Sequence, residues 1–205
     1  MQNIKIDTFN KPFPHLIIKN FYDNKELKLI WEELNFYTKD KKLFEAKEFG
    51  GVVDKTNSKA IWLDKVFSTK YRSLSNILTV NRKIFDSRIL EIFSEIHDCC
   101  SIAKYSNSDH TKVRYYHNDE YYEPHTDTFI QFLAFTYFYK EPKKFQGGEL
   151  FFPKYNYSFT CDNNSLIMFP GWVEHGVSKV VIENSDYFDG YGRYAITSFF
   201  GNKQP

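Results

Sequence analysis

The sequence is poor in cysteine, proline and glycine for its length. Its 205 residues include 3 cysteines, 7 prolines and 9 glycines. Cys99, Cys100 and Cys161 have no metal-type spacing, and their odd number argues against a disulfide framework. Unpaired cysteines are typical of a reducing compartment, so the sequence predicts a cytoplasmic protein.

Charge of one sign and long hydrophobic runs are also missing. The 27 basic residues are balanced by 26 acidic residues, without the basic excess that is typical of nucleic-acid-binding proteins. No apolar run is long enough to span a bilayer, and residues 1–7 lack the apolar core of a signal peptide. The sequence predicts a soluble protein with no nucleic-acid or membrane partner, and it leaves the oligomeric state open.

Aromatic residues are abundant, and the hydrophobic periodicity changes along the chain. Phe, Tyr and Trp make up 19% of the residues, which favours a β-rich core. Residues 12–20 read as a short strand, and apolar positions recur at helical spacing from Asp23 or Asn24 to Leu34 and from 73 to 100. From about residue 112, short strands alternate with turns.

These elements predict one α+β, mainly β domain over residues 1–205. Seven or eight short strands suit a double-stranded β-helix, or jelly roll, with N-terminal helices packed on one of its sheets. The helical support region is expected at about 1–110 and the jelly-roll core at about 111–203. The Lys-rich segment 38–60, broken by Gly50 and Gly51, is either a surface connection or a flap over a site.

Three residues in the second half form a candidate metal site. His125 and Asp127 are separated by one residue, so on a β-strand their side chains would leave the same face. His175 is the only later histidine. Two histidines and one carboxylate form the facial triad of non-haem Fe(II) oxygenases, which leaves three coordination positions open.

The surrounding strings strengthen this interpretation. Gly147-Gly148-Glu149-Leu150-Phe151-Phe152-Pro153 lies between the candidate ligands, Arg193-Tyr194-Ala195-Ile196-Thr197 follows His175, and Tyr115 precedes His125 by ten residues. In this order, the region from about 114 to 200 resembles the 2-oxoglutarate- and Fe(II)-dependent dioxygenases, specifically their prolyl 4-hydroxylase-like branch.

The resemblance implies Fe(II), 2-oxoglutarate and O2 as cofactor and co-substrates, with ascorbate as an accessory cofactor. His125, Asp127 and His175 would bind the iron, and Arg193 would bind the far carboxylate of 2-oxoglutarate through two parallel hydrogen bonds. Further co-substrate contacts are implied for Tyr115, Tyr137, Leu150 and Thr197. Arg193 lies eighteen residues beyond His175, more than is usual in the family. We therefore expect a hairpin extension at 182–192, either a solvated loop or a substrate entrance.

The resemblance also implies a reaction and leaves the substrate open. The expected activity is hydroxylation of prolyl residues in a peptide or protein, with release of succinate and CO2. A free amino acid or other small metabolite is the alternative substrate, and a non-catalytic metal- or ligand-binding jelly roll is a less favoured function. A nucleic-acid demethylase is disfavoured because no second arginine follows Thr197 on the last strand.

Overall fold

The computed structural model describes residues 5–49, 55–183 and 185–201, which form antiparallel sheets and a helical layer. The strands are β1 (Ile6–Phe9), β2 (His15–Ile18), β3 (Lys59–Trp62), β4 (Ser108–Tyr116), β5 (Tyr122–His125), β6 (Phe132–Phe138), β7 (Phe145–Gly147), β8 (Leu150–Phe152), β9 (Tyr157–Phe159), β10 (Ser165–Pro170), β11 (His175–Val177), β12 (Val180–Ile182) and β13 (Arg193–Gly201). The α-helices are α1 (Asn24–Lys39), α2 (Leu63–Val66), α3 (Asn76–Val80) and α4 (Ser87–Glu95).

Helix α1 begins with a capping box at the position that the sequence indicated. The Asp23 carboxylate accepts hydrogen bonds from the backbone of Lys25 and Glu26, and the Glu26 carboxylate accepts the Asp23 N–H at 2.8 Å. These contacts satisfy N–H groups that lack a partner in the first turn. The helix continues five residues beyond the predicted end at Leu34, because Tyr37 and Thr38 extend its buried face.

The region 73–100, where apolar positions recur at helical spacing, forms several helical segments. Helix α3 ends at Val80, a 3₁₀ segment covers Asn81–Phe85, and α4 starts at Ser87. Buried Glu33 of α1 ties this region together, because its carboxylate accepts the Ser75 hydroxyl at 2.8 Å and the Ile77 N–H at 2.7 Å. One carboxylate therefore fixes α3 to α1.

A seven-stranded sheet in the order β1-β2-β10-β6-β13-β4-β3 separates two layers of core. One core lies between this sheet and the helices, and it includes Ile30 of α1, Leu90 of α4 and Ile196 of β13. The other lies between this sheet and a four-stranded sheet, β5-β11-β8-β9. Because side chains alternate along a strand, β13 sends Tyr194 and Ile196 to the helices and Arg193 towards the smaller sheet.

The mainly β, antiparallel class that the sequence predicted is confirmed, with differences in detail. The first 110 residues do more than supply helices, since β1, β2 and β3 join both edges of the large sheet. The segment 142–148 contains β7, which pairs with β12. No helix among the described residues is long and apolar enough to cross a membrane.

Glu33 provides a test of how the helices are held together. We expect Glu33→Ala to lower the free energy of unfolding by about 3 kcal/mol, because the buried Ser75 hydroxyl and Ile77 N–H lose their acceptor. Urea denaturation measures this change. Glu32→Ala, one residue earlier and exposed, is the matched control. Equal stability of the two variants would contradict the role of Glu33.

Candidate metal and co-substrate site

The two candidate histidines are side by side on neighbouring strands of the smaller sheet. His125 ends β5, and its register partner is His175, which begins β11. Their ring centroids are 4.5 Å apart. Asp127 lies beyond the end of β5, so the prediction that it shares a strand with His125 was wrong. Its position is fixed by its backbone N–H, which donates to the Gly171 carbonyl at 2.9 Å.

Three ligand atoms converge on one point. Asp127 Oδ2 is 3.7 Å from His175 Nε2 and 4.0 Å from His125 Nε2, and the three ligand atoms lie within 4.8 Å of one another. Donors bound at about 2.0–2.2 Å to one ion are roughly 3–4.4 Å apart. The separations of the Asp127 oxygen from both nitrogens therefore fit a single divalent metal ion.

Backbone carbonyls orient both imidazole rings. Nδ1 of His125 lies 3.0 Å from the Glu123 carbonyl, and Nδ1 of His175 lies 2.9 Å from the Val173 carbonyl. A carbonyl oxygen only accepts, so each Nδ1 carries the proton and each Nε2 has a free lone pair. A hydrogen bond at the distal nitrogen is the usual support for a metal-bound histidine.

Burial also sets the protonation states of the site. Desolvation lowers the pKa of His125, and desolvation together with the charge of His125 lowers the pKa of His175 to about 3. Burial raises the pKa of Asp127, while the positive charges of His125, Lys112 and Arg114 lower it. Both histidines are therefore neutral at physiological pH, the form that binds metal.

Arg193 is a buried cation with unused donors. Its side chain is 1% exposed, and its guanidinium lies 4.6 Å from the ring centre of Tyr137 and 4.9 Å from that of Tyr116. Nη2 donates to the Cys161 sulfur at 3.4 Å, a weak acceptor. Among the described residues, Arg193 Nε, Arg193 Nη1 and the Tyr137 hydroxyl have no hydrogen-bond partner. Unpaired donors around a buried guanidinium fit a carboxylate ligand.

The glycine pair before Leu150 gives the Arg193 stem its space. Gly148 has φ +75°, and a Cβ atom at this position would lie 2.8 Å from Arg193 Cδ. Any other residue would therefore be strained and would displace the arginine.

The prediction of Tyr115 as a co-substrate contact was wrong by one residue. Arg193 is the register partner of Tyr116, whereas Tyr115 is paired with Tyr194. Tyr115 therefore faces the helices, where its hydroxyl accepts the Gly192 N–H at 2.9 Å and donates to the Tyr187 carbonyl. Tyr116 is the tyrosine that contacts Arg193.

The other predicted contacts lie on the expected side of the large sheet. Tyr137 is wholly buried beside Arg193, and Thr197 lines the same cavity as the three candidate ligands. Leu150 is buried in the core between the sheets, where it forms part of the apolar packing. The structure thus brings Tyr137 close to Arg193, and places Thr197 four residues along β13.

A cavity of about 430 Å³ connects the candidate ligands with Arg193. Sequence reasoning missed several of its lining residues, namely Trp62, Lys112, Arg114, Tyr116 and Phe135. For the three of these residues on β4, the sequence did hold a usable pattern, because side chains alternate along a strand. Val113 and Tyr115 face the helical core, so Lys112, Arg114 and Tyr116 face the cavity.

Comparison with known proteins supports the resemblance seen in the sequence. Residues 111–201 match the family model of the 2OG-Fe(II) oxygenase superfamily. No curated protein matches the sequence.

Solved structures extend the likeness over most of the chain. A Pseudomonas putida prolyl-4-hydroxylase is similar with a TM-score of 0.58 and 14% identity, covering 93% of each chain. The viral collagen prolyl hydroxylase of Paramecium Bursaria Chlorella virus-1 has a TM-score of 0.55 and 15% identity, covering 91% of this chain and 94% of that chain. The alpha-ketoglutarate-dependent epimerase SnoN of nogalamycin biosynthesis has a TM-score of 0.57 and 10% identity, covering 92% and 77%. The predicted likeness to prolyl hydroxylases is thus confirmed in the fold.

The three candidate ligands can be tested by metal binding alone. His125→Ala and Asp127→Asn should each weaken Co(II) binding by more than about 100-fold, because one of three ligands is lost. Isothermal titration calorimetry gives the affinity, and circular dichroism checks that the variants are folded. His97→Ala removes an exposed histidine and serves as the control. Unchanged affinity in both site variants would place the metal elsewhere.

The lowered histidine pKa values predict how metal affinity responds to acid. Two histidines with the ordinary pKa of 6.5 would lose affinity roughly tenfold between pH 7.5 and 6.0, because protons compete for Nε2. Here desolvation lowers the pKa of both imidazoles, so we expect a clearly smaller loss of affinity. The same Co(II) titration at the two pH values measures it. A tenfold loss would mean that the imidazoles titrate normally.

Proposed function

We propose that this protein is an Fe(II)- and 2-oxoglutarate-dependent hydroxylase. The observation that carries the proposal is the combination of a converging His125, Asp127 and His175 with the buried, unpaired donors of Arg193. The two parts have different ligands, since the three converging side chains fit a divalent metal and the donors of Arg193 fit a carboxylate. A metal-binding protein without turnover would have no need for the second part.

The protein residues hold and orient the reactants. His125, Asp127 and His175 would hold the iron, in the donor set of the facial triad that leaves room for a co-substrate and oxygen. With iron and 2-oxoglutarate bound, the site supplies oxidation of an unactivated C–H bond by O2, with release of succinate and CO2. Arg193 pairs with the far carboxylate of 2-oxoglutarate. The Tyr137 hydroxyl donates to the same carboxylate, while Tyr116 packs against the guanidinium.

Aromatic packing shields His175 from water, whereas the side chains of His125 and Asp127 are 15% and 25% exposed. The ring of His175 is enclosed by Phe135 at 5.6 Å and Phe169 at 5.2 Å between centroids, and Tyr122 stacks on His125 at 4.0 Å. A dry site strengthens the electrostatic contacts within it and limits side reactions. In this proposal the two sheets form one jelly-roll core of a single domain over 1–205, with Leu150 and Thr197 as further walls. Nothing in the site supports the ascorbate that the sequence implied.

Two substrate classes fit this site. A prolyl residue in a peptide is supported by the likeness in fold to prolyl hydroxylases. Phe129, wholly exposed at the edge of the cavity, would contact such a peptide. A free amino acid or small metabolite is supported by two further buried cations, Lys112 and Arg114, whose role is developed below.

Arg193 provides the direct test of the co-substrate site. Arg193→Gln should weaken 2-oxoglutarate binding by about 2–5 kcal/mol, because the buried carboxylate loses its charged partner. An anaerobic titration of the Fe(II)-loaded protein, followed through the visible charge-transfer band of the chelate, gives the affinity. Tyr137→Phe should have a smaller effect, about 1 kcal/mol, since it removes one neutral donor.

The same titration tests the whole proposal. If the wild-type protein binds iron and folds but gives no band with 2-oxoglutarate, the oxygenase function is wrong. If the band forms and Arg193→Gln binds 2-oxoglutarate with wild-type affinity, the function stands and the carboxylate site lies elsewhere.

A further inference from the structure

The inner face of β4 carries two cations that the proposed reaction does not use. Lys112 is 8% exposed and Arg114 5% exposed, and both line the cavity. They are register partners of Thr197 and Ala195 on β13. The intervening Val113 faces the helices. Alternation therefore points both charged side chains inward, where apolar residues are the norm.

Aromatic rings surround these two cations. Lys112 Nζ lies 3.9 Å from the ring centre of Trp62 and 5.4 Å from that of Phe49. The Arg114 guanidinium lies 5.0 Å from Phe49 and 4.7 Å from Tyr122. Phe49 belongs to the segment 38–60 and packs over both cations, while Gly50 and Gly51 lie outside the described residues.

Neither cation has a carboxylate partner in the part of the chain that the structure describes. Arg114 Nη1 donates to the Ser58 hydroxyl at 2.8 Å, and no salt bridge to either residue occurs there. A buried cation is costly unless an anion pairs with it, and cation–π contacts offset only part of that cost. An anion that enters the cavity would give both side chains a partner of opposite charge.

Lys112 lies away from Arg193, because it is opposite Thr197, which is four residues beyond Arg193 on the same strand and roughly 13 Å away. Arg114 is opposite Ala195, two residues beyond Arg193, and the two guanidinium groups lie 6.0 Å and 4.9 Å from the ring centre of Tyr116. Lys112 and Arg114 line the same cavity as His125, Asp127 and His175. The three basic side chains therefore follow one another along this wall of the cavity, with Arg193 and Lys112 at its two ends and Arg114 between them.

We infer that Lys112 and Arg114 bind the carboxylate of a small organic acid, the substrate, and hold its carbon chain beside the metal site. The inference rests on the proposed function and names its substrate class. A volume of about 430 Å³ suits a small acid next to 2-oxoglutarate, since it lies near the lower end of the range for small-molecule sites. Arg114 provides planar hydrogen-bond donors, and Lys112 provides a compact ammonium group. Together they can bind one carboxylate from two sides.

Substrate screening with matched amides tests the inference. The Fe(II)-loaded protein with saturating 2-oxoglutarate is given each of the protein amino acids, including L-proline, and the corresponding amide, and succinate release is measured. At least one free acid should accelerate release, and its amide should be weaker by roughly tenfold or more in KM. Arg114→Gln and Lys112→Met should reduce this preference for the acid, and Arg114→Lys should restore part of it.

Exposed cations provide the matched controls. Arg88→Gln and Lys104→Met remove the same charges at the surface and should keep the acid preference of the wild type. If Lys112 and Arg114 only balance the charge of Asp127, their variants would weaken iron and 2-oxoglutarate binding while the preference for acid over amide stayed intact. That result would overturn the inference.

Proton uptake gives a second readout that is independent of turnover. Burial, reinforced by the charge of Arg114, lowers the pKa of Lys112 to about 6. A bound carboxylate would raise it again, so anaerobic binding of the acid at pH 7 should take up protons. Calorimetry in two buffers of different ionisation enthalpy measures this uptake, which should disappear in Lys112→Met.

The outcomes separate this inference from the proposed function. If the wild type forms the 2-oxoglutarate band but no free acid binds or stimulates succinate release, only the carboxylate site is wrong. The same holds if an end-blocked prolyl peptide is turned over equally well by the wild type and by Arg114→Gln. Failure to form the band at all would overturn the oxygenase function itself.

Discussion

The structure depends on the pairing of β13 with strands on both sides. β13 is antiparallel to β4 over nine register pairs and to β6 over seven, which makes it a rigid central strand. A slip of one residue would turn Tyr194 and Ile196 away from the helices and Arg193 out of the cavity. Burial of Tyr194 and Ile196 in the apolar core on one face therefore fixes the direction of Arg193 on the other face. The same strand register determines both the packing of the core and the position of Arg193 in the cavity.

The metal site needs a second constraint, which the smaller sheet provides. Pairing of β5 with β11 puts His125 directly opposite His175, although the two are fifty residues apart in sequence. The carbonyls of Glu123 and Val173 then fix both ring tautomers, so the nitrogens converge before any ion arrives. Such preorganisation lowers the cost of binding, because little ordering remains to be done when the ligand arrives.

The sequence predicted the parts that follow from local patterns and failed where register decides. The helix start at Asp23 or Asn24 and the His125-x-Asp127 pair were recognisable from local spacing, and the resemblance added His175. Tyr115 was chosen instead of Tyr116 because counting back from a motif gives no face, whereas pairing with Arg193 does. Lys112 and Arg114 passed unnoticed for the same reason. Only strand alternation reveals that they are buried.

The cavity has an electrostatic asymmetry that links its two ends. Asp127 is the only acidic side chain among the described lining residues, which include the basic side chains of Lys112, Arg114 and Arg193. Iron would add two positive charges, and 2-oxoglutarate would bring two negative ones. Arg114 then still lacks a counterion, as does Lys112 once it takes up a proton. A carboxylate substrate would supply it, so its binding should be more favourable once iron is in place, because opposite charges attract strongly where water is excluded. The same field would disfavour a cationic substrate, which makes charge a determinant of specificity alongside shape.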